Sequence, residues 1–198
     1  MADLTGYNTL VVRQVVERLE VFTGLETENR YEVLSPDGAS LLYAYEESGF
    51  LGRQLLRNHR PLKLHVVEPG GSHVLTASRG FFFFLSHMHV HGADGRAIGS
   101  VHRQFTFLKR RFRLEGPATQ IAGVEGPLFK PNTFMITRDG GEIARIAKQW
   151  GGILREGFSK ADTFNVEFST PHDQDFSLLV LAMALVIDLE FFENKGRR

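Results

Sequence analysis

The feature that most constrains the fold is an uninterrupted apolar run near the C-terminus, residues 178–187. A helix made from it is apolar on every side, so it must be buried in protein or in lipid. A membrane-spanning helix needs about 20 mainly apolar residues, whereas about 10 to 14 are typical of a core helix. Widening the run to 176–192 brings in Ser177, Asp188 and Glu190, and a carboxylate facing lipid is costly. The length favours a core helix over a transmembrane span.

The residues on both sides of this run predict a helix over about 171–194. Thr170 is the predicted N-cap and Pro171 suits the first helical position. Asp173 complements the positive end of the helix dipole, and Asn194 supplies the expected end. The prediction places four residues on the core helix: Leu178, Leu181, Leu185 and Asp188.

Glycine-containing turns divide the rest of the chain into short segments. The turns lie at residues 35–38, 68–71, 92–95, 115–117 and 138–141. Between them polar and apolar residues alternate, which is typical of strands; Phe105 and Phe107 are predicted to share one strand face. Five such turns imply about ten or more strands. Residues 10–22 stay ambiguous, because their valines favour a strand and their glutamates favour a helix.

A sheet of this size tends to close into a barrel, and a barrel of more than about eight strands needs material to fill it. A helix is about 10 Å across with its side chains, and this one is apolar on every side, so it is suited to that interior. The sequence therefore predicts one mostly β domain over residues 1–198, with strands closing around the C-terminal helix.

Composition narrows the class of function. Lys and Arg number 23, as do Asp and Glu, so no global field attracts nucleic acid or an anionic membrane, and nucleic acid is not an expected partner. Cysteine is absent, which excludes disulfides, thiol catalysis and palmitoylation. The N-terminus shows no export signal, so an intracellular, cytoplasmic location is expected. No hydrolase, phosphate-loop or dinucleotide motif is present, so an enzyme is not expected.

Two motifs carry a resemblance to a known family. One is Lys148-Gln-Trp-x-Gly-x-x-Arg-Glu-x-Phe-x-x-x-Asp-x-Phe164, and the other is Leu19-Glu-Val-Phe-Thr-Gly-x-Glu-Thr-x-Asn-Arg-Tyr31. Together they resemble the phospholipid scramblase family, of the tubby-like and LURP-one-related superfamily, from about Leu10 onward. The resemblance implies a tubby-like closed antiparallel barrel of about twelve strands around a buried hydrophobic C-terminal helix. It also implies calcium-stimulated, non-selective movement of phospholipids between leaflets.

The function expected from this resemblance is phospholipid scrambling or membrane phospholipid binding, with the protein peripheral at the membrane. The alternative is a soluble tubby-like module that binds lipid headgroups or a protein partner without transport. Two departures from the family matter here: the calcium segment, and the cysteine-rich stretch that is palmitoylated in animal members.

The family's calcium-binding segment corresponds to residues 160–171. A loop of the EF-hand kind needs oxygen ligands near its first and last positions, which are Lys160 and Pro171 here. Calcium dependence is therefore doubtful. The alternative is a rearranged calcium site formed by Asp162, Glu167 and Asp173.

Phe81, Phe82, Phe83 and Phe84 stand where the family's cysteines would lie. They are candidates for contact with a membrane interface. Because successive strand residues point to opposite faces, two of the four are expected in the core under the alternative interpretation.

Lys109, Arg110, Arg111 and Arg113 form the densest basic segment. They are candidates for binding lipid headgroups or another anion, since each basic residue near an anionic surface contributes about 1 kcal/mol. The alternative is a charged edge strand that blocks aggregation.

His87, His89 and His91 share one face of a predicted strand. This spacing is compatible with a transition-metal site. A solvent-facing or pH-responsive surface is the alternative.

Overall fold

A computed structural model describes residues 2–15, 29–47, 61–82, 85–107, 109–149 and 163–192. Within these ranges the chain forms twelve strands followed by one helix. The strands are β1 (Thr9–Gln14), β2 (Arg30–Leu34), β3 (Ser40–Glu47), β4 (Leu62–Val67), β5 (His73–Arg79), β6 (His87–Gly92), β7 (Ala97–Gln104), β8 (Lys109–Glu115), β9 (Gln120–Pro127), β10 (Thr133–Arg138), β11 (Gly141–Gln149) and β12 (Thr163–Phe168). The helix is α1 (Gln174–Phe191).

The strands form one closed barrel in which each strand pairs antiparallel with its neighbours along the chain. The barrel closes between β1 and β12, where Leu10 lies opposite Val166. The predicted twelve-stranded, mostly β fold around a C-terminal helix is confirmed. The first part of the ambiguous segment 10–22 belongs to strand β1, and residues 16–22 lie outside the described ranges.

The helix α1 fills the barrel, and every residue from 176 to 189 is buried. Leu178, Leu181, Leu185 and Asp188, the predicted core-helix residues, are each at most 2% exposed. Across the described ranges, no helix combines the length and apolarity that crossing a membrane requires.

One glycine permits the close contact between the barrel wall and the helix. A Cβ placed on Gly99 in β7 would lie 2.4 Å from the carbonyl oxygen of Glu115 and 3.1 Å from the side chain of Leu179. Both distances are shorter than ordinary van der Waals contact, so a side chain here would push β7 away from the Glu115 carbonyl of β8 and crowd Leu179 of α1.

The helix starts later than the sequence predicted. Its N-cap is Asp173 rather than Thr170, because the Asp173 carboxylate accepts the N–H of Phe176 at 2.7 Å. The preceding residues connect β12 to α1, with the ring of His172 stacked on Phe168 at 3.9 Å between centroids. The helix ends at Phe191, and the predicted end at Asn194 lies outside the described residues.

The antiparallel order gives the barrel two different ends. Connections that follow even-numbered strands lie at one end, which includes all five predicted turns; we call it the tight-turn end. Gly38, Gly71, Gly95 and Gly140 adopt φ between 79° and 89° there, a region that favours glycine. Connections that follow odd-numbered strands lie at the opposite end, the long-loop end. The helix α1 begins at the tight-turn end and ends at the long-loop end.

Candidate functional site

All the large hydrophobic side chains that are exposed in the described part of the chain lie at the long-loop end. They come from the connections after β5, β7 and β9, which the barrel topology brings to the same rim. These residues are Phe81, Phe105, Phe107, Leu128 and Phe129. Single exposed hydrophobic residues are ordinary on a protein surface, but residues that cluster at one end indicate a contact surface.

The β7–β8 connection is the most exposed of these segments. Phe105 and Phe107 are 72% and 88% exposed, and their rings meet edge to face at 5.2 Å between centroids. The prediction that both share a strand face is wrong, because β7 ends at Gln104. The Thr106 hydroxyl donates to the carbonyl of Lys109, which turns the chain and leaves both rings outside the barrel.

The phenylalanine run after β5 is only partly described. Phe81 is 44% exposed, whereas Phe82 is half-buried, with the Arg79 guanidinium 4.9 Å from its ring centroid. Phe83 and Phe84 lie outside the described residues. Membrane contact by this run stays a prediction.

The inner wall of the barrel changes character near the long-loop end. Most side chains of β5, β7, β8 and β11 that point into the barrel are apolar. On each strand, the inward side chain nearest the long-loop end is basic. These residues are Arg79, Arg103, Arg110 and Lys148. They surround the C-terminal end of α1, where the helix dipole is negative.

A buried carboxylate fixes the end of the helix to the wall. Glu190 has a side chain that is 2% exposed. It accepts from Arg79 Nη1 at 3.1 Å and Arg103 Nη1 at 3.4 Å, and the Ser86 hydroxyl also donates to it. Because buried charges are stable only when paired, this cluster joins α1 to β5 and β7.

Asp188 points to the opposite side of the helix. The Tyr31 hydroxyl donates to its carboxylate at 2.8 Å. Residues two positions apart are about 200° apart around a helix of 3.6 residues per turn, so Asp188 faces β2 while Glu190 faces β5 and β7. The two carboxylates of the helix end therefore lie on separate sides, Asp188 against a tyrosine and Glu190 against two arginines.

The predicted basic patch on β8 is divided by the strand alternation. Lys109, Arg111 and Arg113 face outward, whereas Arg110 faces inward. Lys109 and Arg111 both bind Glu125, at 2.8 and 2.5 Å, and the hydrogen bond from Lys109 helps to hold the pKa of Glu125 below its usual value.

Arg113 Nε lies 2.6 Å from a Glu115 carboxylate oxygen. The Arg110 guanidinium lies 4.9 Å from the ring centroids of both Phe134 and Phe191. The edge-strand interpretation is wrong, since β8 pairs with β7 and β9 on both sides. Anion binding by the four residues stays a prediction.

The histidines of β6 meet a further histidine from β7. His87 and His89 are exposed, and the ring centroid of His102 lies 4.5 Å from that of His87 and 6.5 Å from that of His89. Burial lowers the pKa of His102, an effect that the Glu115 carboxylate opposes and His87 reinforces. In the described ranges, no group of three or more His, Asp or Glu is arranged to hold a metal ion. Metal binding by His87, His89 and His91 stays a prediction.

Comparison with known proteins identifies the family. The sequence model of the Scramblase family matches residues 1–194. The chain belongs to the scramblase family.

Relatives of this scramblase-family protein include phospholipid scramblase 1 of Rattus norvegicus, which is 27% identical over 98% of the chain and 62% of the relative. Phospholipid scramblase 2 of Homo sapiens is 25% identical, over 96% of the chain and 69% of the relative. The Saccharomyces cerevisiae protein named altered inheritance rate of mitochondria protein 25 is 24% identical, over 96% and 72%. The chain thus spans less than two thirds of the length of the rat relative.

A solved structure supports the fold. An X-ray structure of a protein from Arabidopsis thaliana aligns with a TM-score of 0.52 over 96% of this chain and 98% of that one. The sequence identity is 11%, so the likeness concerns the fold alone.

The resemblance to the scramblase family implies a calcium site, and among the described residues no group of three or more His, Asp or Glu is arranged to hold a metal ion. Asp173 uses its carboxylate to cap α1. Glu167 lies on the outer wall of β12, opposite Arg145 of β11. Asp162 lies outside the described residues, so calcium binding through Asp162, Glu167 and Asp173 stays a prediction.

Several residues of the long-loop end could not be predicted as site residues from the sequence of the scramblase-family protein. The exposed residues Leu128 and Phe129 lie between Pro127 and Pro131. Two prolines at this spacing are a turn signal, and they could have indicated an exposed connection here. Arg79, Arg103 and Glu190 carry no local signal, because their proximity comes from barrel closure around the helix.

Proposed function

We propose that this scramblase-family protein binds phospholipid membranes peripherally through its long-loop end, and that phospholipid scrambling proceeds from this bound state. The observation that supports the proposal most strongly is the clustering of exposed hydrophobic side chains at one end. A rim with several exposed aromatic rings is the kind of surface that enters a membrane interface, because apolar area is removed from water when the rings are buried.

The distribution of charge supports the same orientation. Although the chain has a net charge of zero, the described residues at its tight-turn end are mainly acidic. The acidic residues at that end include Asp3, Asp37, Glu68, Asp94, Glu115, Asp139, Glu142, Glu167, Asp173 and Asp175, and the basic ones include Arg96, Arg113 and Arg138. An anionic bilayer repels such an end.

The long-loop end has an excess of basic residues in the described part of the chain. The basic residues include Arg13, Arg30, Lys63, Arg79, Arg103, Lys109, Arg110, Arg111, Lys130 and Lys148, and the acidic ones include Glu32, Glu46, Glu47, Glu125, Asp188 and Glu190. The resulting axial charge separation orients this end toward anionic lipid headgroups. The exposed aromatic rings and the excess of basic residues are therefore both at the long-loop end, so both favour contact of this end with the membrane.

Vesicle flotation tests the proposal with a double variant at the most exposed site. Burying a Phe side chain contributes about 1.5–3 kcal/mol, so Phe105→Ser with Phe107→Ser should weaken binding to phosphatidylcholine–phosphatidylserine vesicles by at least about tenfold. A matched control is Tyr7→Ser at the tight-turn end, which should leave the affinity unchanged. Equal binding by the double variant and the wild-type protein would refute docking through this end.

A proteoliposome assay separates binding from transport. Wild-type protein should exchange labelled phospholipid between leaflets, and the double variant should lose exchange in proportion to lost binding. Calcium and a chelator should give the same flotation, since the first and last positions of segment 160–171 are Lys160 and Pro171. Binding without exchange would limit the protein to membrane recognition, and no binding at all would favour the protein-binding alternative.

A further inference from the structure

Two arginines lie at the base of the β7–β8 connection, directly below its exposed phenylalanines. Arg103 is the last inward residue of β7, and Arg110 is the first of β8. Arg103 pairs with Phe112 across the two strands, so Arg110 is its diagonal neighbour on the same face, within reach of a long side chain. Both guanidinium groups contact one ring, that of Phe191, at 5.4 and 4.9 Å from its centroid.

The charge of this pair is only partly compensated by the protein. Arg103 shares Glu190 with Arg79. Arg110 has no ion-pair partner in the described part of the chain, and its Nη2 donates to the carbonyl of Pro131. Two other acids of the long-loop end, Asp188 and Glu46, accept hydrogen bonds from Tyr31 and Asn29 on the β2–β3 side of the barrel. Two adjacent guanidinium groups therefore attract an external anion.

The position of the pair determines which anion reaches it. The Arg103 side chain is 37% exposed, and Arg110 is partly exposed. If Phe105 and Phe107 enter the apolar layer of a bilayer, residues at the base of their connection lie at the level of the headgroup phosphates. Guanidinium groups bind phosphate through paired N–H donors, and stacking on aromatic rings holds them in a fixed orientation.

We infer that Arg103 and Arg110 bind the phosphate group of an anionic phospholipid at the foot of the Phe105–Phe107 tip, an inference that rests on the proposed docking of the long-loop end. The tip supplies contact with the acyl region, and the arginine pair selects lipids with an accessible anionic phosphate. Phosphatidic acid, whose phosphate is a terminal monoester, is the lipid that this geometry favours.

The test measures binding of the full chain to vesicles of phosphatidylcholine alone and of phosphatidylcholine with phosphatidic acid, at one ionic strength. The double variant Arg103→Gln, Arg110→Gln should lose about tenfold or more of its affinity for the phosphatidic acid vesicles. It should keep wild-type binding to phosphatidylcholine alone. The matched control is Arg111→Gln with Arg113→Gln, which removes the same charge from the outward face and should lose less than about threefold.

Equal losses in the double variant and its control would overturn the inference, because diffuse electrostatic attraction would then account for the binding. Unchanged affinity in the double variant would overturn it as well. Soluble glycerol 3-phosphate should bind much more weakly than the vesicles; comparable affinity would assign the site to a free phosphate compound and overturn the lipid assignment.

Two further measurements keep the result interpretable. Thermal unfolding checks each variant, and if Arg110→Gln fails to fold, the single variant Arg103→Gln carries the test because that side chain is more exposed. The tip variant Phe107→Ser should weaken binding to every vesicle. If the wild-type protein binds no vesicle, the proposed function is contradicted. If it binds vesicles and the arginine substitutions leave the affinity unchanged, only this inference is contradicted.

Discussion

Replacing Glu190 by Gln tests whether a buried charge cluster fixes the end of α1. The substitution keeps the size of the side chain and an oxygen that can accept from Ser86, but it removes the negative charge shared by Arg79 and Arg103. The side chain of Arg103 is 37% exposed, so water compensates for part of its loss. The side chain of Arg79 is 3% exposed, so water cannot replace the Glu190 charge beside it. This loss therefore accounts for most of the expected decrease in the free energy of unfolding.

Removing one partner of a buried ion pair costs about 3–5 kcal/mol. Because the amide keeps one accepting oxygen, we expect the lower part of this range, about 3 kcal/mol. Urea unfolding at neutral pH measures the effect as a lower midpoint at unchanged slope.

The control is Glu142→Gln. Glu142 binds Arg145 at 2.8 Å, with side chains 28% and 44% exposed. Such surface pairs contribute about 0–1 kcal/mol. A loss below about 1 kcal/mol for Glu190→Gln, or a loss equal to that of the control, would refute the anchoring of the helix by this carboxylate.

Three smaller predictions concern the barrel wall and the tight-turn end. Gly99→Ala should lower the free energy of unfolding by roughly 1–3 kcal/mol, because its Cβ would lie 2.4 Å from a carbonyl oxygen of β8; wild-type stability in urea would contradict the predicted clash. His87→Gln should raise the pKa of His102, measured by NMR titration, since burial and then the nearby imidazole charge lower that pKa; an unchanged value would exclude coupling of the two rings. Asp175 accepts two hydrogen bonds from Arg96, which lower its pKa from 3.8. The ion pair therefore stabilises the fold above about that pH and is lost as pH falls through the lowered pKa. Asp175→Asn should cost under about 1 kcal/mol at neutral pH and nothing in strong acid, and a deficit that persists in acid would argue against the ion pair.

The barrel could be predicted because its signals are local and repeated. Each tight turn contains a glycine where the backbone needs positive φ, as at Gly38 and Gly140. The apolar helix needs an enclosure, and twelve strands provide one of suitable width. The predicted N-cap is wrong because Thr170 and Asp173 are both good capping residues, and only the fold determines that the Asp173 carboxylate accepts the N–H of Phe176.

The candidate site could not be predicted in the same way, because its members come from separate connections. Phe105 and Phe107 fit a strand pattern, and only the end of β7 at Gln104 places them on an exposed tip. The four basic residues of β8 look alike in sequence. Strand register alone turns Arg110 toward the helix end and its neighbours toward Glu125 and Glu115.

Docking through the long-loop end is tested most directly by the depth of a single fluorescent label. The chain contains no cysteine, so Phe107→Cys and Asp94→Cys each provide one site for an environment-sensitive dye, at opposite ends of the barrel. With anionic vesicles, the emission maximum of the dye at position 107 should move to shorter wavelength, and brominated acyl chains should quench it. The dye at position 94 should stay in water, with unchanged emission and no quenching. A shift at position 94, or vesicle binding with no shift at position 107, would contradict the proposed orientation.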